Sequence, residues 1–195
     1  MPKSSLNISE SLLDISSPIS MGIINLTADS FYDGGKIKND KDLLEKAEKM
    51  LSEGAAILDV GAYSSRPGAV DIPVDTETNN AFRGIKVILK EFPNAVVSVD
   101  TFRSEVAKQT IQNGASIVND ISAGGLDDKM FETVADLKVP YIMMHMKGNP
   151  QTMSKLTGYD NLISEIIDYF NARIKLLNAQ GVSDVIIDPG FGFAK

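Results

Sequence analysis

Cysteine is absent from this 195-residue chain, and histidine occurs once. The first absence excludes disulfides, iron–sulfur clusters and thiolate zinc, and the second excludes the usual multi-histidine metal sites. Any metal is therefore expected to be a hard, oxygen-bound ion. Basic charge is also short: 19 Lys and Arg against 26 Asp and Glu give a net charge of −7 and a pI near 4.7. A chain without a basic stripe is not expected to bind nucleic acid, although small anions can bind locally. No apolar run approaches a membrane span, and the N-terminal MPKSSLNISESLLDISSPIS has no apolar core of signal-peptide length. The default expectation is a cytoplasmic protein.

What is present is ordinary globular material, 43% hydrophobic and 23% charged, which argues against disorder and coiled coils. The length suits one domain with a sizeable core but falls short of the ~250 residues typical of a closed eight-stranded barrel. Short apolar runs alternate with amphipathic ones, as in βα units of a parallel sheet. Strands are expected at residues 19–24, 56–60, 95–99, 116–118, 141–144 and 185–187. Helical faces are read from Leu44, Ala47 and Leu51, then from Phe82, Ile85, Leu89 and Phe92. A third uses Val106, Ala107, Thr110 and Ile111, and a fourth Met130, Phe131, Val134 and Leu137. The fifth presents Ile163, Ile166, Ile167, Phe170, Ile174 and Leu177. Residues 1–18 read as an N-terminal extension and 19–195 as one domain, with no linker or low-complexity tract.

Each expected strand is followed by a polar side chain: Asn25, Asp59, Asp100, Asn119 with Asp120, His145 and Asp188. An open doubly wound sheet needs functional groups at only a few strand ends, near its switch point. In a barrel all strand ends converge on one mouth, so the pattern favours an α/β fold of the TIM (β/α)8-barrel type, incomplete, with about six βα strands. Asp and Asn also start turns and cap helices, and either role accounts for any single position. Their recurrence at every strand end points to function.

The loops add chemistry. NLTADSFYDGG, residues 25–35, carries Asp29, Phe31 and Asp33 ahead of Gly34 and Gly35, and reads as a mobile lid. GAYSSRPGA, residues 61–69, puts Ser64, Ser65 and Arg66 together, a set suited to a carboxylate or phosphate, before the Pro67-Gly68 turn. Asp100 in SVDT and Asn119 in NDISAGG supply the acceptors and amide that can read a flat aminopyrimidine edge. His145, flanked by Met144 and Met146, is given no catalytic role, because a lone histidine in that setting more often packs or supports a neighbour. Either methionine can pad an aromatic ring, although core filling is the commoner use. DPGFGFAK, residues 188–195, is Gly-rich after a strand but resembles no P-loop.

Read in order, MGIINLTADSFYDGG, LDVGAYSSRPGA, SVDT, VNDISAGG, MHMKGNPQTM and DPGFGFAK resemble the signature segments of the dihydropteroate synthase family, from about Met21 to the last residue. The resemblance implies a folate-pathway transferase that joins p-aminobenzoate to hydroxymethyl-dihydropterin diphosphate and releases diphosphate with the help of Mg²⁺. It also implies a target of sulfonamides and a homodimer of the full-length form. Carried over motif by motif, Asp100, Asn119, Met144, Asp188 and Phe193 hold the pterin, and Asn25 faces the metal and the diphosphate. Phe31, Ser65, Arg66, Pro67 and Phe193 build the p-aminobenzoate side, and Asp100, Asp33 and Arg66 are the catalytic candidates.

Some positions depart from the family pattern. Ala28 stands where proline is usual, Tyr63 where glutamate is common, and Ser65 where threonine is common. The family continues past the motif at residues 188–195 with a lysine-bearing strand and one carrying arginine and histidine. The expectation is therefore a truncated synthase, inactive or nearly so alone, with open sheet edges beside residues 19–24 and 185–187. Two other readings compete. A methyltetrahydrofolate:corrinoid methyltransferase shares the pterin-binding barrel but not SFYDGG or SSRPGA, and a non-catalytic pterin-binding fragment would bind without turnover.

Overall fold

The computed structural model describes residues 4–8, 11–26, 39–64, 70–193 and 195. Within these, a short hairpin of β1 (Ser5–Ile8) and β2 (Ser11–Asp14) precedes alternating strands and helices. In order these are β3 (Ser20–Asn25), α1 (Asp40–Ser52), β4 (Ala55–Gly61), α2 (Val74–Glu91), β5 (Val97–Asp100), α3 (Ser104–Ile111) and β6 (Ile117–Asp120). The chain continues through α4 (Met130–Leu137), β7 (Tyr141–Met144), α5 (Leu162–Ala179) and β8 (Val185–Asp188). From β3 to β8 the strands are parallel and neighbour one another in chain order, so this α/β fold is an arc of a TIM-type barrel. Among the described residues β3 and β8 do not pair, and the arc stays open between them.

Two layers of apolar side chains follow from the pleat. Ile24, Leu58, Val60, Val97, Val99, Val118, Tyr141 and Met143 face the helices. The alternate residues Ile57, Ile117 and Ile142 face the concave side, where the partly buried Ile186 joins them. That concave layer is closed from below by Leu6 and Ile8 of the hairpin, only 2% and 5% exposed. The backbone N–H of Asn7 donates to Asp184 Oδ2 at 3.0 Å, tying the hairpin to the start of β8. The described part of the N-terminal extension is thus a plug beneath the sheet.

Helix ends follow ordinary rules. Asn39 caps α1 by accepting from the Asp42 N–H at 3.0 Å, with Asp40 and Asp42 in the first turn and Lys49 in the last. Asn161 caps α5 in the same way, accepting from the Ser164 N–H at 3.1 Å. Helix faces differ in detail from the expected ones. In α1 it is Leu43 and Ala47 that are buried, and in α2 Ala81, Ile85 and Ile88 lead rather than Phe82. In α5 Phe170 and Leu177 are buried, while Ile163 (65% exposed) and Ile167 (53%) face solvent. Periodicity marks an apolar arc, but the neighbouring helix decides which part of that arc is covered. No helix among the described residues is long and apolar enough to cross a membrane.

Candidate active site

Of the polar residues expected just after the strands, Asn25, Asp100, Asp120 and Asp188 are the last residues of strands. Asn119 is the last but one of β6, Asp59 lies two residues inside the end of β4 and His145 follows β7, so for all but His145 the pleat decides where each points. Asn25, Gly61, Asp100 and Asn119 pair across neighbouring strands, Asn25 with Gly61, Gly61 with Asp100, and Asp100 with Asn119. Asn119 lies two residues beyond Ile117 and Met144 two beyond Ile142, so both share the concave face with that apolar layer. At β6–β7 the register steps, because Asn119 pairs with Ile142, and Met144 then pairs with Asp188 one level higher. Such a stagger is what strand tilt in a barrel produces. One row of amide, acid and thioether groups therefore rims the carboxyl end of the arc.

Space and charge in this row are specific. Gly61 leaves room for its neighbour: a Cβ there would lie 3.1 Å from Asp100 Oδ2. Burial pushes the Asp100 carboxyl well above the usual carboxylate range, and the negative charges of Asp59, Asp120 and Glu77 push it further. Asp188 accepts from the Gly190 N–H at 2.8 Å, an Asx turn that orients its carboxyl and starts the final loop. In that loop the Phe193 N–H donates to the Gly190 carbonyl at 2.9 Å, and the ring is 39% exposed. Met144 is buried with Met146 and Met153 in a small thioether cluster against Ile121.

Other strand-end residues point elsewhere. Asp120, adjacent to Asn119, turns to the helix side and is fully buried. Its Oδ1 accepts from the Ser122 N–H and hydroxyl, both at 2.7 Å, and its Oδ2 from the Tyr141 hydroxyl at 2.6 Å and the Gly124 N–H at 2.8 Å. Burial raises its proton affinity, which these four donors oppose. His145 packs edge-on to Tyr169, with ring centroids 4.6 Å apart, and its Nδ1 has no hydrogen-bond partner among the described residues. Burial lowers its proton affinity, and the positive charges of Lys195 and Arg173 add to this.

Two features were not assigned from sequence. Asp59, noted only as a strand-end residue, sits one level below the row on the concave side and is 3% exposed. Its Oδ2 accepts from Asn119 Nδ2 at 3.0 Å. Burial raises its proton affinity, and Ser98 and Asn119 oppose the rise. Its place two residues before Gly61 on β4 is the signal that could have found it. The second feature is Arg103, which donates to Glu77 Oε2 at 2.9 Å, to the Ile72 carbonyl at 2.8 Å and to Asp71 Oδ1 at 2.9 Å. Its guanidinium also covers the rings of Tyr63 and Phe102, at 5.0 and 5.3 Å from their centroids. Tyr63, where the family commonly has glutamate, is thus held by stacking. Phe31, Asp33, Ser65, Arg66 and Pro67 lie outside the described residues.

A parallel arc whose carboxyl ends gather acid, amide and thioether groups on one face has the form of a ligand-binding barrel mouth. The chain belongs to the pterin-binding enzyme family, which it matches over residues 21–195. It is 46% identical over 181 residues to a folic acid synthesis protein of Pneumocystis carinii, covering 90% of this chain and 24% of that one. It is 41% identical over 177 residues to a dihydropteroate synthase of Synechocystis sp., covering 90% of this chain and 61% of that one. In structure it is similar to the Yersinia pestis dihydropteroate synthase solved with a sulfonamide drug complex, with a TM-score of 0.91 and 35% identity. That likeness covers 98% of this chain and 70% of the other. The chain thus spans from about a quarter to just over two thirds of the length of these relatives.

Proposed function

We propose that the protein acts as a dihydropteroate synthase, condensing p-aminobenzoate with (7,8-dihydropterin-6-yl)methyl diphosphate to give dihydropteroate and diphosphate. The observation that carries this reading is the row formed by Asn25, Gly61, Asp100 and Asn119, with Met144 and Asp188 one level higher. A flat heterocycle with N–H donors along one edge meets acceptors in Asp100, Asn119 and Asp188, and a soft thioether face in Met144.

The chemistry suits those groups. As the CH₂–O bond breaks, the electron pair leaves with diphosphate and positive charge spreads into the electron-rich pterin. The arylamine nitrogen then forms the C–N bond and loses a proton. Negative charge placed beforehand beside the ring, at Asp100, stabilises that cation, so no protein nucleophile is required. Phe31, Asp33, Ser65, Arg66 and Pro67, together with Phe193, make up the p-aminobenzoate side in this proposal. The sulfonamide bound by the Yersinia pestis relative extends by the same reasoning to inhibition here.

Mg²⁺ belongs to the proposal. Among the described residues no group of three or more His, Cys, Asp or Glu could hold a metal. Asn25, the last residue of β3, would supply one oxygen ligand to an ion held otherwise by substrate phosphates. When bound, the ion offsets charge on the leaving diphosphate. A cytoplasmic location and a homodimer of the full-length form complete the proposal.

The test has two parts. Fluorescence titration should show that the chain binds 6-hydroxymethylpterin, and the whole gene product should release diphosphate only when p-aminobenzoate, the pterin diphosphate and Mg²⁺ are all present. Preferential binding of methyltetrahydrofolate, with no diphosphate released, would reject the reading in favour of a methyltransferase.

A further inference from the structure

Asn119 Nδ2 donates to Asp59 Oδ2 at 3.0 Å. A side-chain amide turned by 180° about its last bond keeps its shape but exchanges donor for acceptor. Here the turned form would set Asn119 Oδ1 against a carboxylate oxygen. With Asp59 3% exposed, water does not relieve that repulsion. Among the described residues the other oxygen, Asp59 Oδ1, has no hydrogen-bond partner, and neither has the buried hydroxyl of Ser98, its register partner on β5. Ser98 favours the charged form of Asp59 without closing a bond to it. A buried carboxylate with one bonded oxygen is a poor stabilising device, because burying it costs more than one hydrogen bond returns.

We infer that Asp59 is a positioning residue: it holds the Asn119 amide with its carbonyl oxygen towards the mouth, so that the site selects a 2-amino heterocycle over its 2-oxo analogue. The inference rests on the pterin-binding reading above. An aminopyrimidinone edge presents an exocyclic N–H₂ donor to that oxygen. A 2-oxo ring presents an acceptor there, leaving two oxygens facing each other in a partly dry site, and the fixed amide cannot turn to accommodate it. Asp59 touches no ligand and acts only through Asn119.

The experiment compares 6-hydroxymethylpterin with 6-hydroxymethyllumazine, the 2-oxo analogue, by fluorescence titration at pH 8 against the wild-type and Asp59→Asn chains. The introduced amide has nearly the same volume and can donate or accept, so both Asn119 orientations become available. The expected result is a pterin preference reduced about tenfold, the worth of one matched against mismatched hydrogen bond, with an unchanged or higher thermal midpoint. An unchanged preference, or equal weakening of both ligands as a purely structural role would produce, overturns the inference. Should the variant not fold, the wild-type chain still decides: ¹⁵N spectra should show one Asn119 amide proton exchanging slowly, and fast exchange of both overturns it. If the wild-type chain binds neither compound, the pterin-binding reading itself fails, an outcome distinct from binding without selectivity.

Discussion

Arg103 Nη1 lies 2.9 Å from Glu77 Oε2 and 2.8 Å from the Ile72 carbonyl, so a charged pair joins the segment after β4 to the segment after β5. Glu77 is fully buried, and its Oε1 also accepts from the Thr101 hydroxyl at 2.6 Å. Burial raises its proton affinity, while Thr101 and Arg103 act in the opposite direction. Two stretches flanking the mouth are thus held at a fixed distance by electrostatics, with the Tyr63 ring stacked beside them.

Arg103→Met is therefore expected to leave a buried, unpaired carboxylate and to destabilise the chain by about 3–5 kcal/mol at pH 8. Without the guanidinium, the Glu77 proton affinity rises further above its unfolded value, so the folded form binds more protons than the unfolded form over that interval. Stability of the variant should then fall as pH rises through it. Urea unfolding at pH 5 and pH 8 checks this, and a loss that is larger at pH 5 would contradict it.

The N-terminal hairpin makes a separate prediction. Leu6 is 2% exposed against the concave layer, whereas Leu12, on the same hairpin, is 72% exposed. Leu6→Ala should cost about 2–5 kcal/mol, because the underside of the sheet cannot collapse around the missing atoms. Leu12→Ala should change stability by no more than about 0.5 kcal/mol. Equal small effects in urea titration would show that the hairpin is not a plug.

These cases show which parts of the molecule could be read from residues alone. The six parallel strands were legible because short apolar runs with polar ends have few other uses, and the expected spans lie within two residues of β3 to β8. The direction of each polar end was not legible. Asn119 and Asp120 are adjacent, yet one faces the mouth and the other the Tyr141 hydroxyl, and only strand register separates them. The hairpin escaped because SLNI and SLLD are too short to show a period. Glu77 escaped because an acid in the first turn of a helix ordinarily faces solvent and offsets the dipole. Roles proposed for residues 31, 33 and 65–67 remain outside the described part of the chain.

Asp100 carries a conflict between binding and stability. Its folded proton affinity is raised by burial and by Asp59, Asp120 and Glu77, so folding takes up protons between the unfolded and folded values. Its contribution to stability is present at low pH and is lost as pH rises through that window. Asp100→Asn removes the charge with little change of shape. At pH 8 the thermal midpoint should rise by about 2–4 °C, which is what 1 kcal/mol is worth in a chain of this size. The gain should shrink towards pH 4, and pterin affinity should fall in the same variant. A lower midpoint at pH 8 would mean that the carboxylate is not under the strain described.

Gly61 sets how close β4 can come to that carboxyl. Its backbone needs no positive φ, so alanine is accepted by the main chain, and a less flexible unfolded chain stabilises by about 0.4–1 kcal/mol. The added Cβ, however, would stand 3.1 Å from Asp100 Oδ2, closer than relaxed contacts. Asp100, the register partner of Asn119, must then give way by a few tenths of an ångström. Gly61→Ala is accordingly expected to leave the thermal midpoint within about 2 °C of wild type. The same variant should weaken 6-hydroxymethylpterin binding about tenfold, equivalent to one misplaced hydrogen bond. Undiminished affinity, measured by the same fluorescence titration, would place the ligand away from Asp100.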